Sequence, residues 1–135
     1  MHPPHPLHTL REENLEIAPV LDTPALTIKL TGACDAFAIT PLGGYLTDVL
    51  AELRRGTYPK VVFDIRGLCL LNSSCLKQFI TFLHKVRSAH PKCAVDFLVD
   101  QSSTWQGRAL AAFVRMCPDI VSVIRVASNE APQHH

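Results

Sequence analysis

The polar segment Asn72-Ser73-Ser74-Cys75 carries the side chains of this chain that are best able to do chemistry. The apolar residues after it recur at helical spacing, so the segment opens a predicted helix. The first N–H groups of a helix have no intrahelical partner, and the helix dipole places partial positive charge there. A phosphate on Ser73, or on Ser74 as a second candidate, is therefore favoured at this position. The pattern predicts a phosphorylation switch and no catalytic residue.

Two other interpretations of this segment stay open. Ser73 is also a suitable N-cap, because its side-chain oxygen can accept a hydrogen bond from an early N–H group, and a cap is compatible with a switch. Cys75 lies where a helix dipole lowers a thiol pKa, which allows a thiol-dependent or small-ligand-binding protein centred on Cys75. No paired base is evident for that thiol, because His84 and His90 come too far along the same predicted helix.

The composition is that of one folded domain with a substantial core. The chain has 135 residues, of which 47% are hydrophobic. Its 13 basic and 12 acidic residues give a net charge of +1, which argues against a nucleic-acid partner. No apolar run is long enough to span a bilayer, and the first residues lack the pattern of a signal peptide. We expect a cytoplasmic protein that binds neither nucleic acid nor membrane.

The cysteines do not form a recognisable metal or disulfide framework. There are five of them, an odd number, and no C-x-x-C pair occurs. Most lie among apolar residues, where a reduced thiol behaves as a small hydrophobic side chain. The chain also lacks the glycine-rich and histidine motifs of nucleotide-binding proteins, serine hydrolases and zinc proteases. We predict no metal, no cofactor and no enzymatic activity.

Strand and helix patterns alternate along the chain and position the polar segment between them. Apolar runs and alternation predict strands over residues 14–20, 25–30, 60–65, 93–99 and 120–126. Helical spacing predicts a first helix capped by Thr40 and ended by Gly56, and further helices over residues 74–89 and 105–116. The first two strands are close enough in sequence to form a hairpin.

This alternation predicts the α/β class, with a mixed, mostly parallel sheet of about five strands and helices packed against it. Residues 1–12 are rich in proline and histidine, which predicts a flexible tail. Residues 128–135 are polar and predict a second flexible tail. The folded domain is therefore expected over residues 13–127.

Two motifs in this order resemble those of the STAS family, which includes the bacterial anti-sigma factor antagonists. The first, Leu30-Thr31-Gly32-Ala33-Cys34-Asp35, resembles the family's L-x-G-x-x-D at the end of a strand. The second, Leu71-Asn72-Ser73-Ser74-Cys75-Leu76, is similar to the family's D-S-S/T-G-L. The resemblance extends over about residues 14–126 and implies a single STAS-like domain.

The resemblance also implies a function in transcription regulation by partner switching. Ser73 matches the phosphoacceptor of the family, and Asp35 matches the acidic residue that lies near it. The implied partner is a GHKL-type serine kinase that doubles as the anti-sigma factor, with a cognate phosphatase to reverse the modification. The expected partner-binding surface comprises Asp35, Asn72, Ser73, Ser74 and Cys75. The expected oligomeric state is a monomer or a weak dimer.

The second motif departs from the family pattern at two positions. Asn72 replaces the aspartate, which keeps a capping oxygen but removes a charge. Cys75 replaces the glycine and adds a side chain. Two alternatives therefore remain within the family: a divergent member that is switched by its own kinase, and a scaffold that is not phosphorylated.

Overall fold

The computed structural model describes residues 7–21 and 23–127. The six strands in this part of the chain are Leu10–Arg11 (β1), Leu15–Pro19 (β2), Leu26–Cys34 (β3), Lys60–Leu71 (β4), Ala94–Asp100 (β5) and Val121–Val126 (β6). Its helices are the short 3-10 helix Ala36–Ala38 and the α-helices Ile39–Arg55 (α1), Ser73–Ala89 (α2) and Thr104–Met116 (α3).

All six strands form one sheet in the order β1-β2-β3-β4-β5-β6. The pairs β1–β2 and β2–β3 are antiparallel, and the other three pairs are parallel. The predicted hairpin and the predicted mixed, mostly parallel α/β sheet are therefore confirmed. The sheet has one strand more than expected, because the two-residue strand β1 adds to its edge.

The main core lies between one face of the sheet and the three α-helices. Its centre is a cluster of aromatic rings in which Phe63 and Phe97 of the sheet stack at 5.4 Å. Phe79 of α2 meets the ring of Phe63 edge-on at 5.4 Å, and Phe113 of α3 lies 5.3 Å from Phe97. Edge-on and offset ring pairs add to the stability that apolar burial supplies. Buried residues of α1, such as Val49, belong to the same cluster.

The other face of the sheet carries a smaller apolar group and two ion pairs whose carboxylates are buried. Asp64 pairs with Arg66 at 2.8 Å, and Asp96 pairs with Lys60 at 3.0 Å. A buried carboxylate is costly unless a cation and hydrogen bonds satisfy it. Both carboxylates of this face meet that condition.

Part of the predicted N-terminal tail packs against the domain. Leu7 is buried, β1 lies within residues 7–12, and the Tyr45 hydroxyl donates to the carbonyl oxygen of His8 at 2.9 Å. The predicted start of the domain at residue 13 is therefore wrong. The proline content suggested a flexible segment, but the apolar side chains of Leu7 and Leu10 pack it against the core. The predicted tails at residues 1–6 and 128–135 lie outside the described residues.

Two further boundaries differ from the sequence prediction. Thr40 is not the cap of the first helix, because the chain already turns at Asp35, whose side chain caps the 3-10 helix that leads into α1. Strand β4 continues past residue 65 to Leu71 because it keeps pairing with β3 through two register shifts. The longer strand carries the polar segment to the end of β3.

Candidate functional site

The ends of β3 and β4 lie side by side and bring the two sequence motifs together. Cys34 pairs with Leu71 in the parallel register, and the N–H of Asn72 donates to the carbonyl oxygen of Cys34 at 3.0 Å. The next residue after Cys34 is Asp35, so the first motif ends beside the start of α2. The juxtaposition of Asp35 with the Ser73 segment, which the family resemblance implied, is present in the structure.

Asn72, rather than Ser73, is the N-cap of α2. Its backbone is extended, and its Oδ1 accepts a hydrogen bond from the N–H of Cys75 at 2.8 Å. Its carbonyl oxygen accepts from the N–H of Leu76 at 3.0 Å. The interpretation of Ser73 as a simple cap is therefore wrong, because the preceding amide supplies that function.

Ser73 and Ser74 are the first two residues of α2, and Ser73 is exposed while Ser74 is half-buried. Neither hydroxyl hydrogen-bonds to another residue within the described ranges, and the same holds for their two backbone N–H groups. The first turn of α2 contains no acidic residue. The helix start therefore offers two N–H donors and a partial positive charge to an anion on either hydroxyl.

The Asp35 carboxylate is held in place by two donors from different elements. Its Oδ1 accepts from the N–H of Phe37 at 3.0 Å, and its Oδ2 accepts from Nδ2 of Asn14 at 3.1 Å. Asn14 also accepts, through its carbonyl oxygen, from the N–H of Ala33 at 2.7 Å. Sequence reasoning missed Asn14, which precedes β2 and has no distinctive local pattern.

Gly32 allows Asn14 to approach this closely. Its φ is +106°, and a Cβ built on it would lie 2.1 Å from the carbonyl oxygen of Asn14. A residue with a side chain is both strained and excluded there. The glycine of the first motif therefore shapes the loop that holds Asp35.

Cys75 lies beneath the site and not on its surface. Its side chain is fully buried, and its Sγ lies 3.6 Å from the carbonyl oxygen of Asp35 and within hydrogen-bond reach of the Cys34 thiol. Burial raises the pKa of Cys75 above its ordinary value, while the Cys34 thiol opposes this rise. Burial, followed by the neighbouring Cys75, raises the pKa of Cys34 to about 12.

These positions correct two expectations for Cys75. The predicted lowering of its pKa by the helix dipole is outweighed by loss of hydration, so a reactive thiolate is not favoured. The thiol also faces the core, so Cys75 does not take part in a surface contact through its side chain. Its position indicates packing between α2 and the end of β3.

Two large apolar side chains close in sequence to the polar residues are exposed. Phe37, two residues after Asp35, is 74% exposed, and Leu70, two residues before Asn72, is 46% exposed. Aromatic residues such as Phe37 are enriched at surfaces that bind other proteins. Sequence reasoning missed both residues, since Phe37 was expected to lie in a connecting loop and Leu70 after the end of a strand. We call the group Asp35, Phe37, Leu70, Ser73 and Ser74, whose members are exposed or half-buried, the serine surface.

The described residues provide no ready metal site and no membrane span. Residues 7–21 and 23–127 contain no cluster of three or more histidine, cysteine or acidic side chains placed to bind a metal ion. None of the helices found in these ranges combines the length and apolar character that crossing a bilayer requires.

Comparison with known proteins relates this chain to others through structure. No protein-family model matches the sequence, and no curated protein matches it. A solved structure of the anti-sigma factor antagonist SpoIIAA in its unphosphorylated form superimposes with a TM-score of 0.56 at 13% sequence identity. The alignment covers 79% of this chain and 86% of SpoIIAA.

The chain has a STAS-like fold. The fold expected from the two motifs is thereby confirmed, and the low identity to SpoIIAA fits a divergent sequence. The similarity covers nearly all of SpoIIAA, so the whole domain and not one supersecondary unit is shared.

Proposed function

We propose that this chain is a regulatory protein-binding module that engages its partner through the serine surface and is switched by phosphorylation of Ser73. The observation that carries the proposal is the start of α2: Ser73 is exposed, and its hydroxyl is not needed as a cap because Asn72 caps the helix. The shared fold with an anti-sigma factor antagonist supports regulation by protein binding rather than enzymatic catalysis.

A phosphate on Ser73 changes the surface in two ways. It adds about −1.5 to −2 charges at neutral pH, and the free N–H groups of Ser73 and Ser74 stabilise that charge on the unbound protein. It also places a strongly hydrated group on the serine surface, whose exposed apolar side chains are those of Phe37 and Leu70. A partner that covers these side chains must then desolvate the phosphate, so the modified protein binds more weakly.

The proposed partner is a GHKL-type serine kinase that also acts as an anti-sigma factor, with a phosphatase that restores the unmodified serine. In this scheme the unphosphorylated chain binds the kinase and releases a sigma factor. Ser74 is the second candidate for modification, and its half-buried position makes it less accessible to a kinase than Ser73.

A scaffold that is never phosphorylated is the second candidate function. It is favoured by Asn72, which supplies the cap but no carboxylate beside Ser73. A thiol-dependent activity at Cys75 is disfavoured, because the thiol is buried and its pKa is raised by burial.

Phosphopeptide mass spectrometry on the protein isolated from its own cells under several growth conditions separates the two candidates. The switch predicts phosphate on Ser73 that varies with condition, whereas the scaffold predicts none. Ser73→Ala, Ser73→Asp and the control Ser74→Ala are then used as bait to capture partners. The switch predicts that Ser73→Asp alone loses a partner that the other two retain, and equal capture by all three contradicts it.

A further inference from the structure

A cavity of about 680 Å³ opens at the end of the sheet opposite the serine surface. It lies where α1 ends, where α2 ends, and just before β4 and β5 begin. Strand β4, which is roughly 35 Å long by its number of residues, separates it from Ser73. Small-molecule sites typically have about 300–1,000 Å³ of volume and mostly apolar walls, and this cavity falls within that range.

The walls of the cavity are mainly apolar. They include side chains of Leu53, Tyr58, Pro59, Pro91 and Cys93. Pro59 directly precedes β4, and Pro91 lies three residues before β5. The N–H of Ala94, the first residue of β5, donates a hydrogen bond to the carbonyl oxygen of Pro59 at 3.0 Å. The walls of the cavity are therefore mainly apolar, and the sheet holds their backbone in place.

The Tyr58 ring forms a fixed wall because of a neighbouring glycine. A Cβ built on Gly56 would lie 2.5 Å from a ring carbon of Tyr58, so the ring rests on the end of α1 in space that a side chain would fill. The Tyr58 hydroxyl donates a short hydrogen bond to the buried carboxylate of Glu52. The second Glu52 oxygen accepts from Arg55 at 3.3 Å. The charge of the Glu52 carboxylate is therefore already compensated by the Tyr58 hydroxyl and by Arg55.

The rim of the cavity carries basic side chains. His90 and Lys92 line it, and His90 also lines an adjoining recess of about 360 Å³ together with Arg54 and Lys85. Neither space is lined by a carboxylate. Arg54, Lys85 and Lys92 form no ion pair with any residue that the structure describes.

Attraction to helix C-termini does not account for all of this positive charge. Arg54 lies in the last turn of α1, where the helix dipole favours a cation. Lys92 instead follows the C-cap His90 by two residues and lies outside the helix. The basic residue in the last turn of α2 is Arg87, and it pairs with Asp119 at 3.2 Å. Lys85 and Lys92 are left as unpaired cations beside an apolar space.

We propose that this cavity binds a small amphipathic anion, with the apolar body against Tyr58, Pro59 and Pro91 and the anionic group at Lys92 near His90. The pairing of an apolar cavity with an unpaired cationic rim carries the assignment, because such a ligand satisfies both at once. The proposal is independent of the function assigned to Ser73.

Matched probes that differ only in their head group test the preference. Octanoate, octanol and octylammonium are titrated separately into the ¹⁵N-labelled full chain, and amide shifts are followed by NMR. Octanoate is expected to bind at least tenfold more tightly than octylammonium, with octanol between them. Its shifts are expected over residues 53–59 and 84–93. Shifts confined to other residues, or equal affinities for the two charged probes, overturn the proposal.

Two charge-reversal variants test whether Lys92 binds the anionic head group. Lys92→Glu is expected to weaken octanoate binding by about tenfold and to leave octanol binding unchanged. Lys77→Glu, at an exposed position near the start of α2, is expected to change neither. Equal effects of the two reversals on octanoate overturn the assignment of Lys92. A second copy of the chain would occupy the cavity if the amide shifts of residues 53–59 and 84–93 changed with protein concentration. Sedimentation would then have to show a dimer, and this outcome overturns the small-anion proposal.

Discussion

The backbone N–H of Asn72 donates to the carbonyl oxygen of Cys34 across 3.0 Å, which fastens the start of α2 to the end of β3. The Asn72 side chain at the same time caps α2 through the N–H of Cys75. One residue thus joins the two motifs through its main chain and directs the helix through its side chain. The consequence is that the surface position of Ser73 depends on Asn72.

Removal of the Asn72 side chain is expected to destabilise the protein through the loss of this cap. Asn72→Ala should lower the free energy of unfolding by about 1 kcal/mol. Asn72→Ser retains a side-chain acceptor and is expected to stay within about 0.5 kcal/mol of the original protein. Urea unfolding followed by circular dichroism measures both, and equal stability of the alanine and serine variants contradicts the assignment of the cap.

A side chain at Gly32 is expected to disturb the loop that holds Asp35. Gly32→Ala combines a positive φ with a Cβ only 2.1 Å from the Asn14 carbonyl oxygen, so we expect a loss of about 2 kcal/mol or more. Gly44→Ala is the matched control, because its Cβ meets no atom within 4 Å and lies inside α1. That variant should be stabilised by up to about 1 kcal/mol, since alanine favours helix.

Thermal or urea unfolding of the two alanine variants decides whether Gly32 is required by geometry. A Gly32→Ala protein as stable as the Gly44→Ala protein contradicts the close approach of Asn14. If Gly32→Ala does not fold well enough to measure, the less demanding Asn14→Gly tests the same loop. It keeps the carbonyl acceptor for Ala33 but removes the side-chain donor to Asp35.

Elements whose signals are local were predictable from sequence. Helix α2, which begins at Ser73, and strand β5 both start within one residue of their predicted positions, because apolar spacing and flanking turn residues define both. Strand β4 was predicted too short, since its last residues pair with β3 only through shifts of register near Thr31 and Ala33. Such pairing depends on residues far apart in sequence and leaves no periodic pattern.

The candidate site was predictable in position but not in the direction of its side chains. The motifs indicated that Asp35 and Ser73 lie together, yet they did not indicate that Cys75 turns toward Cys34 in the core. The exposure of Phe37 was also hidden, because a short loop has no periodic pattern that separates buried from exposed residues. Both properties are set by how the 3-10 helix and α2 pack at the end of the sheet.

The cysteines are expected to differ in reactivity. Cys69 is exposed, whereas Cys34 and Cys75 are buried with raised pKa values. At pH 7.5 iodoacetamide should therefore modify Cys69 well before the buried pair, which should react fully only after unfolding. Peptide mass spectrometry over time measures this order, and early modification of Cys75 would restore the reactive-thiol hypothesis.

The same pKa shifts predict loss of stability in alkali. A thiol whose pKa is higher in the folded state binds its proton more tightly there, so its stabilising effect is complete below the unfolded pKa near 9 and declines as pH rises toward about 12. Within that window the Cys34 thiol lowers the free energy of unfolding by about 1.4 kcal/mol per pH unit. Denaturation between pH 8 and 10 should show a shallower decline for Cys34→Ala than for Cys69→Ala.

The buried ion pair of Asp64 and Arg66 is expected to matter more than an exposed pair. Asp64→Ala leaves the guanidinium of Arg66 buried without this carboxylate and should cost about 3–5 kcal/mol. Arg11 and Glu16 form a similar contact at 2.9 Å, with side chains that are 76% and 46% exposed. Arg11→Ala should therefore change stability by less than about 1 kcal/mol, and an equal loss in the two variants contradicts the burial argument.

The apolar part of the serine surface is expected to supply affinity for the regulatory partner. Phe37→Ala should weaken binding by about tenfold or more, because an exposed aromatic side chain gains most when a partner covers it. Its effect on folding should be small, since the ring contributes little to the core. Met116→Ala, at an exposed apolar position at the end of α3, is the control and should leave affinity unchanged.

Isothermal titration against the captured partner, together with urea unfolding, separates binding from stability in these variants. Loss of affinity for Phe37→Ala with unchanged unfolding identifies the aromatic ring as a contact. A double variant that carries Phe37→Ala and Ser73→Asp gives a further check. If the partner covers both residues, the effects of the two substitutions on its affinity are not additive. Full affinity of Phe37→Ala would place the partner elsewhere on the domain and remove the basis for a phosphate at Ser73 acting as a switch.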